Sequence, residues 1–513
     1  MDGTFNFQSD CLIDGPVDIS LHLSNLIRMF ISHGFVPDII LVCVLLPLVK
    51  DNLGDLTSTD NYRAIASGSQ VLKLMDVVIL LLEQDKLHCD QLQFGFQPKS
   101  STTMCSWLVT SVVDKYNRMG SEVFCCTMDL SKAFDMVEWD TLFKDLLERG
   151  ISALYLRGLL YVYRMQSCIV SWNGFESFKF NVTNGVRQGA VSSPVLFSIY
   201  IDKLFEMLRQ SGLGCRIANV FYGCFGYADD LLLLSASRSG LQGMVDLCSR
   251  FMKQRGLKFS TNPILMKSKT KCIVFSKKKT TEILPIKLNG DNLPWVDEIK
   301  YLGNVLECNN SMKRDMQIKR GKFIGKVNAL LQELHFCTPE TLMKMINIYC
   351  TSFYGSGLWN LTSSECERLF KAWNVTIRKV WGLPNTTHRY LIEPISAVMH
   401  PKVMLARRYT SFVSSLLSSP KFAVRLMAHS SCNDLRTVMG KCLLYISREC
   451  GNRCWTEGVL KPIVIKKYMK YFPVPDDQQW RVGLIQELLT EDLQVEGFAD
   501  SEIKEMVDYL CVN

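Results

Sequence analysis

The chain has 513 residues, of which 48% are hydrophobic and 21% are charged, and its formal net charge at neutral pH is +8. This length suggests roughly two to four domains, and the composition excludes a disordered scaffold. The longest uncharged apolar run, residues 39–49, is too short to cross a bilayer, so we predict no membrane association. The 20 Cys are scattered through apolar segments without a signal peptide, which favours an intracellular protein of the nucleus or cytoplasm with reduced thiols.

Two segments concentrate positive charge. Residues 267–279, "KSKTKCIVFSKKK", contain six Lys and no acid, and residues 311–326, "SMKRDMQIKRGKFIGK", contain six basic residues and one acid, Asp315. A single run of this kind is usually a solvated surface, but two of them are also compatible with phosphate-facing surfaces. Four basic residues of the second run are our candidates for contacts with a nucleic-acid backbone: Lys313, Arg314, Lys319 and Arg320.

The first 120 residues are predicted to be mainly helical. Apolar residues recur at helical spacing in "ISLHLSNLIRMFISHG", and Gly34 is a suitable helix end. Residues 39–49 predict a buried strand that leads into a loop. "VLKLMDVVILLLEQ" and "TTMCSWLVTSVVDKYNRMG" predict two further helices.

A mixed helix and strand unit is predicted from about residue 121 to residue 276. It begins with a buried strand, "EVFCCTMDL", followed by a helix that ends at Gly150. Asn173 and Gly174 then supply the turn of a hairpin, and Pro194 opens a helix. Two strands joined near Ala228, a further helix and the strand "KCIVF" complete the unit. Beyond about residue 311 the chain is predicted to be mostly helical.

Asp229 and Asp230 stand side by side between apolar runs in "GYADDLLLLS", where adjacent like charges carry an electrostatic cost. If the flanking segments pair as a hairpin, both carboxylates project from its tip, and Asp129 ends a neighbouring strand. Three such carboxylates can hold two oxygen-preferring ions such as Mg²⁺ roughly 3.5–4 Å apart, an arrangement used for phosphoryl transfer. Taken alone, the dipeptide is better explained as a simple turn, which Asp often forms.

The order of several motifs favours the catalytic interpretation. "FCCTMDLSKAFDMV", "NGVRQGAVSSPVLFSIYID" and "FGYADDLLLLS" resemble the catalytic blocks of reverse transcriptases. "NYRAIA" and "QFGFQPKSSTT" resemble the finger blocks, and "KSKTKCIVFS" and "IKYLGNVLE" resemble the last blocks of the palm. These seven blocks occur in the family's order over about residues 34–307. In detail they are most similar to LINE-type, non-LTR retrotransposon polymerases of the jockey and chicken-repeat kind.

The resemblance implies an α+β fold arranged as a polymerase right hand. Fingers and an N-terminal extension would occupy residues 1–120, and a palm with an antiparallel sheet flanked by helices would occupy residues 121–310. A basic, helical thumb would follow in residues 311–400. Residues 401–513 would form a helical region of unknown role.

The resemblance also implies roles for the acidic residues. Asp129 and Asp229 would be the main ligands of two Mg²⁺ ions, with Mn²⁺ as an alternative, and Asp230 would be a weaker third ligand. The reaction would be RNA-directed DNA synthesis, in which a dNTP is added to the 3′-hydroxyl of a DNA primer on an RNA template. No protein partner can be inferred.

Further residues of the nucleotide pocket follow from the same resemblance. Phe134 would lie under the sugar, although an aromatic residue between a strand and a helix is more often part of the core. Gln188 and Gly189 would line the pocket. Arg63 would meet the triphosphate, and the late-palm lysine would be Lys269, with Lys267 as the alternative register. The backbone of residues 301–305 would meet the primer end.

The chain departs from the family at several points. Ala64 stands where many members have Pro, and Gln97 stands where many have Arg. Related elements carry an endonuclease before the polymerase, whereas about thirty residues precede the matching region here, so we expect a chain without that domain. No ribonuclease H block is recognised. The alternatives are a catalytically silent nucleic-acid-binding remnant of a truncated retroelement and, as a weaker one, a protein like the group II intron maturases.

Overall fold

The computed structural model describes residues 14–260, 269–276, 283–387 and 400–450. The expected α+β class is confirmed. Among the described residues the helices are α1 (Val17–His33), α2 (Asp38–Leu41), α3 (Gln70–Leu82), α4 (Thr102–Arg118), α5 (Trp139–Glu148), α6 (Ala153–Met165), α7 (Ser193–Gln210), α8 (Arg238–Gln254), α9 (Lys313–Glu333), α10 (Pro339–Tyr349), α11 (Ser364–Val380), α12 (Pro401–Leu417), α13 (Phe422–Asn433) and α14 (Val438–Cys450). The strands are β1 (Val42–Val49), β2 (Tyr62–Ser67), β3 (Val123–Asp129), β4 (Ser167–Trp172), β5 (Phe175–Glu176), β6 (Phe180–Asn181), β7 (Arg216–Ile217), β8 (Val220–Phe221), β9 (Cys224–Tyr227), β10 (Asp230–Ser235), β11 (Lys271–Phe275), β12 (Ile286–Leu288), β13 (Asp291–Leu293), β14 (Glu298–Tyr301) and β15 (Asn304–Glu307).

A four-stranded antiparallel sheet with the order β11–β3–β10–β9 forms the centre of the fold. Residues of β10 after Asp230 are all buried, as expected for the continuous apolar run "LLLLS". Helices α4 and α8 pack against this sheet. The interior of the sheet is therefore mostly apolar, and the charged residues of the sheet lie at the strand ends.

A second sheet has the order β2–β1–β4–β5, and β6 also pairs with β4. Asn173 and Gly174 have φ values of 50° and 82° and form the predicted tight turn between β4 and β5. The expectation of a buried strand over residues 39–49 is wrong in part, because α2 occupies its start and Cys43 is the one buried residue of β1. Pairing of β1 with β4 ends at Leu45, two residues before Pro47, which has no N–H to donate to a neighbouring strand.

Several elements were not predicted from the sequence, and two of them lie close to predicted ones. Helix α6 was not predicted, and the region before Asp229 contains an additional small hairpin, β7–β8. Its turn is formed by Ala218 and Asn219, with φ values of 48° and 61°, and it lacks the Gly that usually marks such a turn.

The main hydrophobic core is continuous from Leu92 to Ile446, so the helices after residue 311 share it with the central sheet. A smaller core joins α1, α2, α3 and α6. The division into fingers, palm, thumb and C-terminal region stays a prediction, and residues 451–513 of the last region lie outside the described part of the chain. Among the described helices, none is long and apolar enough to cross a membrane.

Candidate catalytic site

Three carboxylates meet at one end of the central sheet. Asp129 is the last residue of β3, and its direct partner across the antiparallel pair is Asp230, the first residue of β10. Asp229 lies in the two-residue turn between β9 and β10, whose first residue, Ala228, has a left-handed φ of 58°. The register of three strands, rather than the sequence neighbourhood, therefore brings Asp129 to the Asp229–Asp230 pair.

Burial raises the pKa of all three carboxylates, and neighbouring carboxylates add to the effect at Asp229 and Asp230. Burial, followed by the charges of Asp229 and Asp129, raises the pKa of Asp230 to about 6. Burial also raises the pKa of Asp229, with Asp129 contributing to the same effect. For Asp129, burial again raises the pKa, and the nearby Lys269 opposes it. The deprotonated form of each of the three acids is therefore disfavoured without a cation, as expected for carboxylates placed where a cation can bind.

The donor set fits divalent ions that share their coordination with a substrate. All three residues offer carboxylate oxygens, which hard ions prefer. Among the described residues no group of three or more His, Cys, Asp or Glu side chains forms a preassembled metal cage. Mg²⁺ commonly binds to one or two carboxylates together with water and substrate phosphates, and this chemistry requires no closed protein cage.

Two of the predicted cations face these acids. The Lys269 ammonium lies 3.8 Å from the Asp129 carboxylate, and its side chain is mostly exposed. Arg63 is exposed on β2, and its charge lowers the pKa of Asp229. The alternative register, Lys267, lies outside the described residues, as do the three Lys of residues 277–279.

The Arg-Gln-Gly turn lies against the edge of β2. The backbone N–H of Ala66 donates to the carbonyl of Gln188 at 2.7 Å, and the Gln188 side chain donates to the Asp135 carboxylate at 3.0 Å. Gly189 has a φ of 127°, and a Cβ there would lie 2.5 Å from the Ala66 carbonyl oxygen. The turn therefore requires Gly at position 189.

Arg187, which the sequence analysis did not single out, anchors this turn from inside. It is buried, and its guanidinium lies 3.8 Å from the carboxylate of Asp76 on α3. The Ser192 hydroxyl donates to the same carboxylate at 2.8 Å. An acid within the apolar stretch "LMDVVILLL" was the available signal for such a buried partner.

Phe134 is half-buried and has one clear ring contact. Its ring stacks on Phe197 of α7, with centroids 4.9 Å apart and planes at 17°. Its carbonyl accepts a hydrogen bond from the Val186 N–H at 2.7 Å, directly before the Arg-Gln-Gly turn. The residue thus joins the core through its ring and the segment before the Arg-Gln-Gly turn through its backbone.

The hairpin β14–β15 is fixed to helix α9 by buried polar contacts. Its turn contains Leu302 and Gly303, both with positive φ. The buried Asp315 carboxylate accepts hydrogen bonds from the Val305 N–H, the Lys319 ammonium and the Trp359 indole, at 3.1, 2.8 and 3.0 Å. Helix α9 therefore supports the hairpin directly.

These contacts correct the interpretation of the basic run as one solvated surface. Lys313 and Arg314 are exposed, whereas the Lys319 side chain is only 12% exposed and is paired with Asp315. The Arg320 guanidinium lies 3.7 Å from the carboxylate of Glu365. Lys319 thus has a structural role because its charge neutralises a buried acid one helical turn away.

Comparisons with known proteins agree with the motif order. The family model described as reverse transcriptase (RNA-dependent DNA polymerase) matches residues 50–306, which is half of the chain. The Pol polyprotein of the R2DM retrotransposable element of Drosophila melanogaster is 25% identical over 252 residues, covering 47% of this chain and 23% of that protein. The putative 115 kDa protein of the R1DM element of the same species is 26% identical over 317 residues, covering 61% of this chain and 29% of that protein.

The matched region is only part of each relative. A Pol polyprotein of the R2 element of Popillia japonica is 25% identical, with 45% of this chain and 33% of that protein covered. The chain therefore spans a third or less of the length of these curated relatives. Among solved structures, telomerase of Candida tropicalis in complex with a fragment of telomeric RNA is 10% identical with a TM-score of 0.41, covering 80% of this chain and 68% of that one.

Proposed function

The chain belongs to the reverse transcriptase (RNA-dependent DNA polymerase) family, with relatives among the LINE-type retrotransposable elements R1 and R2, and we propose that it extends a DNA primer on an RNA template. The observation that carries this proposal is the meeting of Asp129, Asp229 and Asp230 at one sheet end, where burial raises the pKa of each carboxylate. Such a cluster is costly unless cations occupy it during function.

Two Mg²⁺ ions, or Mn²⁺ in their place, would be held by these three carboxylates and would supply activation of the primer 3′-hydroxyl and neutralisation of the triphosphate. The chain's own cations would add to that neutralisation, because Lys269 and Arg63 face the same acids. Their exposure leaves them free to move towards an incoming dNTP.

The nucleotide pocket would lie between the Arg-Gln-Gly turn and Phe134. The contact between Gln188 and Ala66 joins this turn to β2, which also carries Arg63. We propose that the backbone at Gln188 and Gly189 lines the base side of the pocket, and that the Phe134 ring lies under the sugar.

The nucleic-acid duplex would lie across the hairpin of residues 301–305 and helix α9. The hairpin would meet the primer end, and the exposed cations at the start of α9, Lys313 and Arg314, would contact phosphates. Such contacts position the duplex without reading its sequence. The buried Asp315 would keep the hairpin and the helix in one fixed relation.

Primer extension with Asp229→Asn tests the proposal. Loss of one ligand charge should reduce the extension rate on the order of 10³-fold or more in Mg²⁺, because several kcal/mol of transition-state stabilisation is removed. Binding of the template and primer, measured by fluorescence anisotropy, should stay within a few-fold of wild type.

Asp246→Asn is the matched control, since Asp246 is an exposed acid on helix α8 and should tolerate the change. If Asp229→Asn extended a primer at the wild-type rate, the assignment of the active site would be wrong. If the wild-type protein bound template and primer but never extended the primer, the chain would be the catalytically silent remnant.

A further inference from the structure

Gln93 is completely buried directly behind the hairpin that carries Asp229 and Asp230. Its side-chain oxygen accepts hydrogen bonds from the backbone N–H of Gly95 at 3.1 Å and from that of Ala228 at 3.2 Å. Ala228 is the first turn residue of the hairpin and immediately precedes Asp229. One buried amide oxygen is therefore bonded to the backbone at the tip that presents the two carboxylates.

The backbone around Gln93 also lies against strand β9. The Phe94 N–H donates to the Gly226 carbonyl at 2.7 Å, and the Gly226 N–H donates to the Leu92 carbonyl at 2.9 Å. A Cβ on Gly95 would lie 2.2 Å from the Ala228 nitrogen, so only Gly allows this approach. The segment "QFGF", which resembles part of a finger block, thus supports the catalytic hairpin from behind.

Lys421 holds Gln93 from the other side. The Lys421 side chain is buried. Its ammonium donates to the backbone carbonyl of Gln93 at 2.8 Å and lies 5.1 Å from the centre of the Phe94 ring. Nearby, the Ala423 N–H donates to the side-chain oxygen of Gln91 at 3.2 Å. The segment at the start of α13 is therefore joined to the residues behind the hairpin by two hydrogen bonds.

We propose that Gln93 is a positioning residue that fixes the hairpin tip, and with it Asp229 and Asp230, in the geometry needed for divalent ions, with Lys421 holding Gln93 in place. This inference rests on the proposed function. Mg²⁺ demands near-ideal octahedral geometry, so a displaced tip should lose Mg²⁺ affinity before it loses the fold. Partners behind metal ligands typically change metal affinity or activity 10–100-fold when they are removed.

Gln93→Met tests this role, because Met fills a similar volume but cannot accept the two N–H bonds. The half-saturating Mg²⁺ concentration in primer extension should rise about 10-fold. Mn²⁺ binding, measured by electron paramagnetic resonance, should weaken by a similar factor. That measurement uses protein, template, dNTP and a primer that ends in a dideoxynucleotide, so that no bond forms.

Gln166→Met is the matched control. Gln166 is equally buried, and its side-chain amide makes no hydrogen bond within the described part of the chain. Gln93→Met should lower the melting temperature in EDTA, whereas Gln166→Met removes a buried amide without partners and should not, and only Gln93→Met should change the ion dependence. Wild-type Mg²⁺ and Mn²⁺ dependence in folded Gln93→Met would overturn the proposal.

Lys421→Met keeps the test valid if Gln93→Met does not fold. It should shift the ion dependence in the same direction by a smaller factor, and a folded Lys421→Met with unchanged ion binding would then overturn the proposal. A wild-type protein that neither extends a primer nor binds Mn²⁺ in the terminated complex would instead refute the proposed function. An active wild type with identical variants would refute only the positioning role of Gln93.

Discussion

Replacing Asp230 by Asn should stabilise the metal-free protein at neutral pH while removing activity. Burial, followed by the charges of Asp229 and Asp129, raises the pKa of Asp230 from 3.8 to about 6. The folded chain therefore retains this proton to a higher pH than the unfolded chain. As a result, stability falls as pH rises between about 4 and 6, and the loss persists above pH 6. Asn has nearly the same shape but carries no charge, so it avoids the free-energy cost of a charged carboxylate at this position in the folded state.

The size of the effect follows from the pKa difference and from the exposure of the side chain. A difference of about 2 in pKa corresponds to about 3 kcal/mol. Although desolvation of the carboxyl group raises its pKa, the Asp230 side chain as a whole is exposed, and solvent screens its charge, so we expect about 1 kcal/mol. For a cooperatively unfolding region of about 200 residues, this corresponds to a rise in melting temperature of about 2 °C.

The assay compares melting temperatures of wild type and Asp230→Asn in EDTA at pH 7.5 and pH 4. At pH 4 the wild-type carboxyl is mostly protonated in the folded state, so the advantage of Asn should fall to less than about half. Asp246→Asn, which removes an exposed acid of α8, is the control for the loss of a negative charge. If Asp230→Asn were no more stable than wild type at pH 7.5, or equally stabilised at both pH values, burial and like-charge repulsion at Asp230 would not explain the cost of this site.

Two further predictions concern the pocket and helix α9. Phe134→Val should admit ribonucleotides and change the ratio of ribonucleotide to deoxynucleotide incorporation roughly 10- to 200-fold. The ring stacks on Phe197. An unchanged incorporation ratio with a large fall in melting temperature would therefore assign the ring to the core alone. Replacing three exposed cations of α9 by Ala should reduce the slope of log affinity against log salt by about 0.7–0.9 for each phosphate that the protein no longer neutralises. These cations are Lys313, Arg314 and Lys322. Lys319→Met should lower the melting temperature with the slope unchanged, and a reduced slope would restore Lys319 as a phosphate-binding residue.

Local signals were sufficient for most of the elements. Pro194 lies in the first turn of α7, Gly34 ends α1 with a left-handed φ of 64°, and Asn173–Gly174 forms a hairpin turn, all as predicted. Helix α6 was missed because it has apolar residues around most of its surface and a Gly in its interior. Gly158 is explained only by packing, since a Cβ there would lie 3.3 Å from the Met75 side chain.

The carboxylates of the site could be predicted from the sequence, whereas the choice of partners among charged residues could not. In "SMKRDMQIKRGKFIGK", Asp315 looks like a minor exception to a basic surface. In the structure it is buried, and the Trp359 indole that bonds to it comes from a segment 44 residues later. Lys319 turns inward and donates to this buried carboxylate and to the Asn304 side chain. Charge patterns along a helix cannot reveal a burial that depends on a distant element.

The contacts behind the hairpin that carries Asp229 and Asp230 also join segments that are far apart in the sequence, so they could not be predicted from it. Gln93 and Lys421 are 328 residues apart, yet a single hydrogen bond joins them behind Ala228 and Asp229. A buried ammonium is costly unless it is satisfied, and here a carbonyl and an aromatic face satisfy it while burial lowers the pKa of Lys421. The buried Lys421 side chain is therefore one of the contacts that couple the helices after residue 400 to the acidic site. Changes in those helices should reach Asp229 and Asp230 without altering any residue that touches substrate.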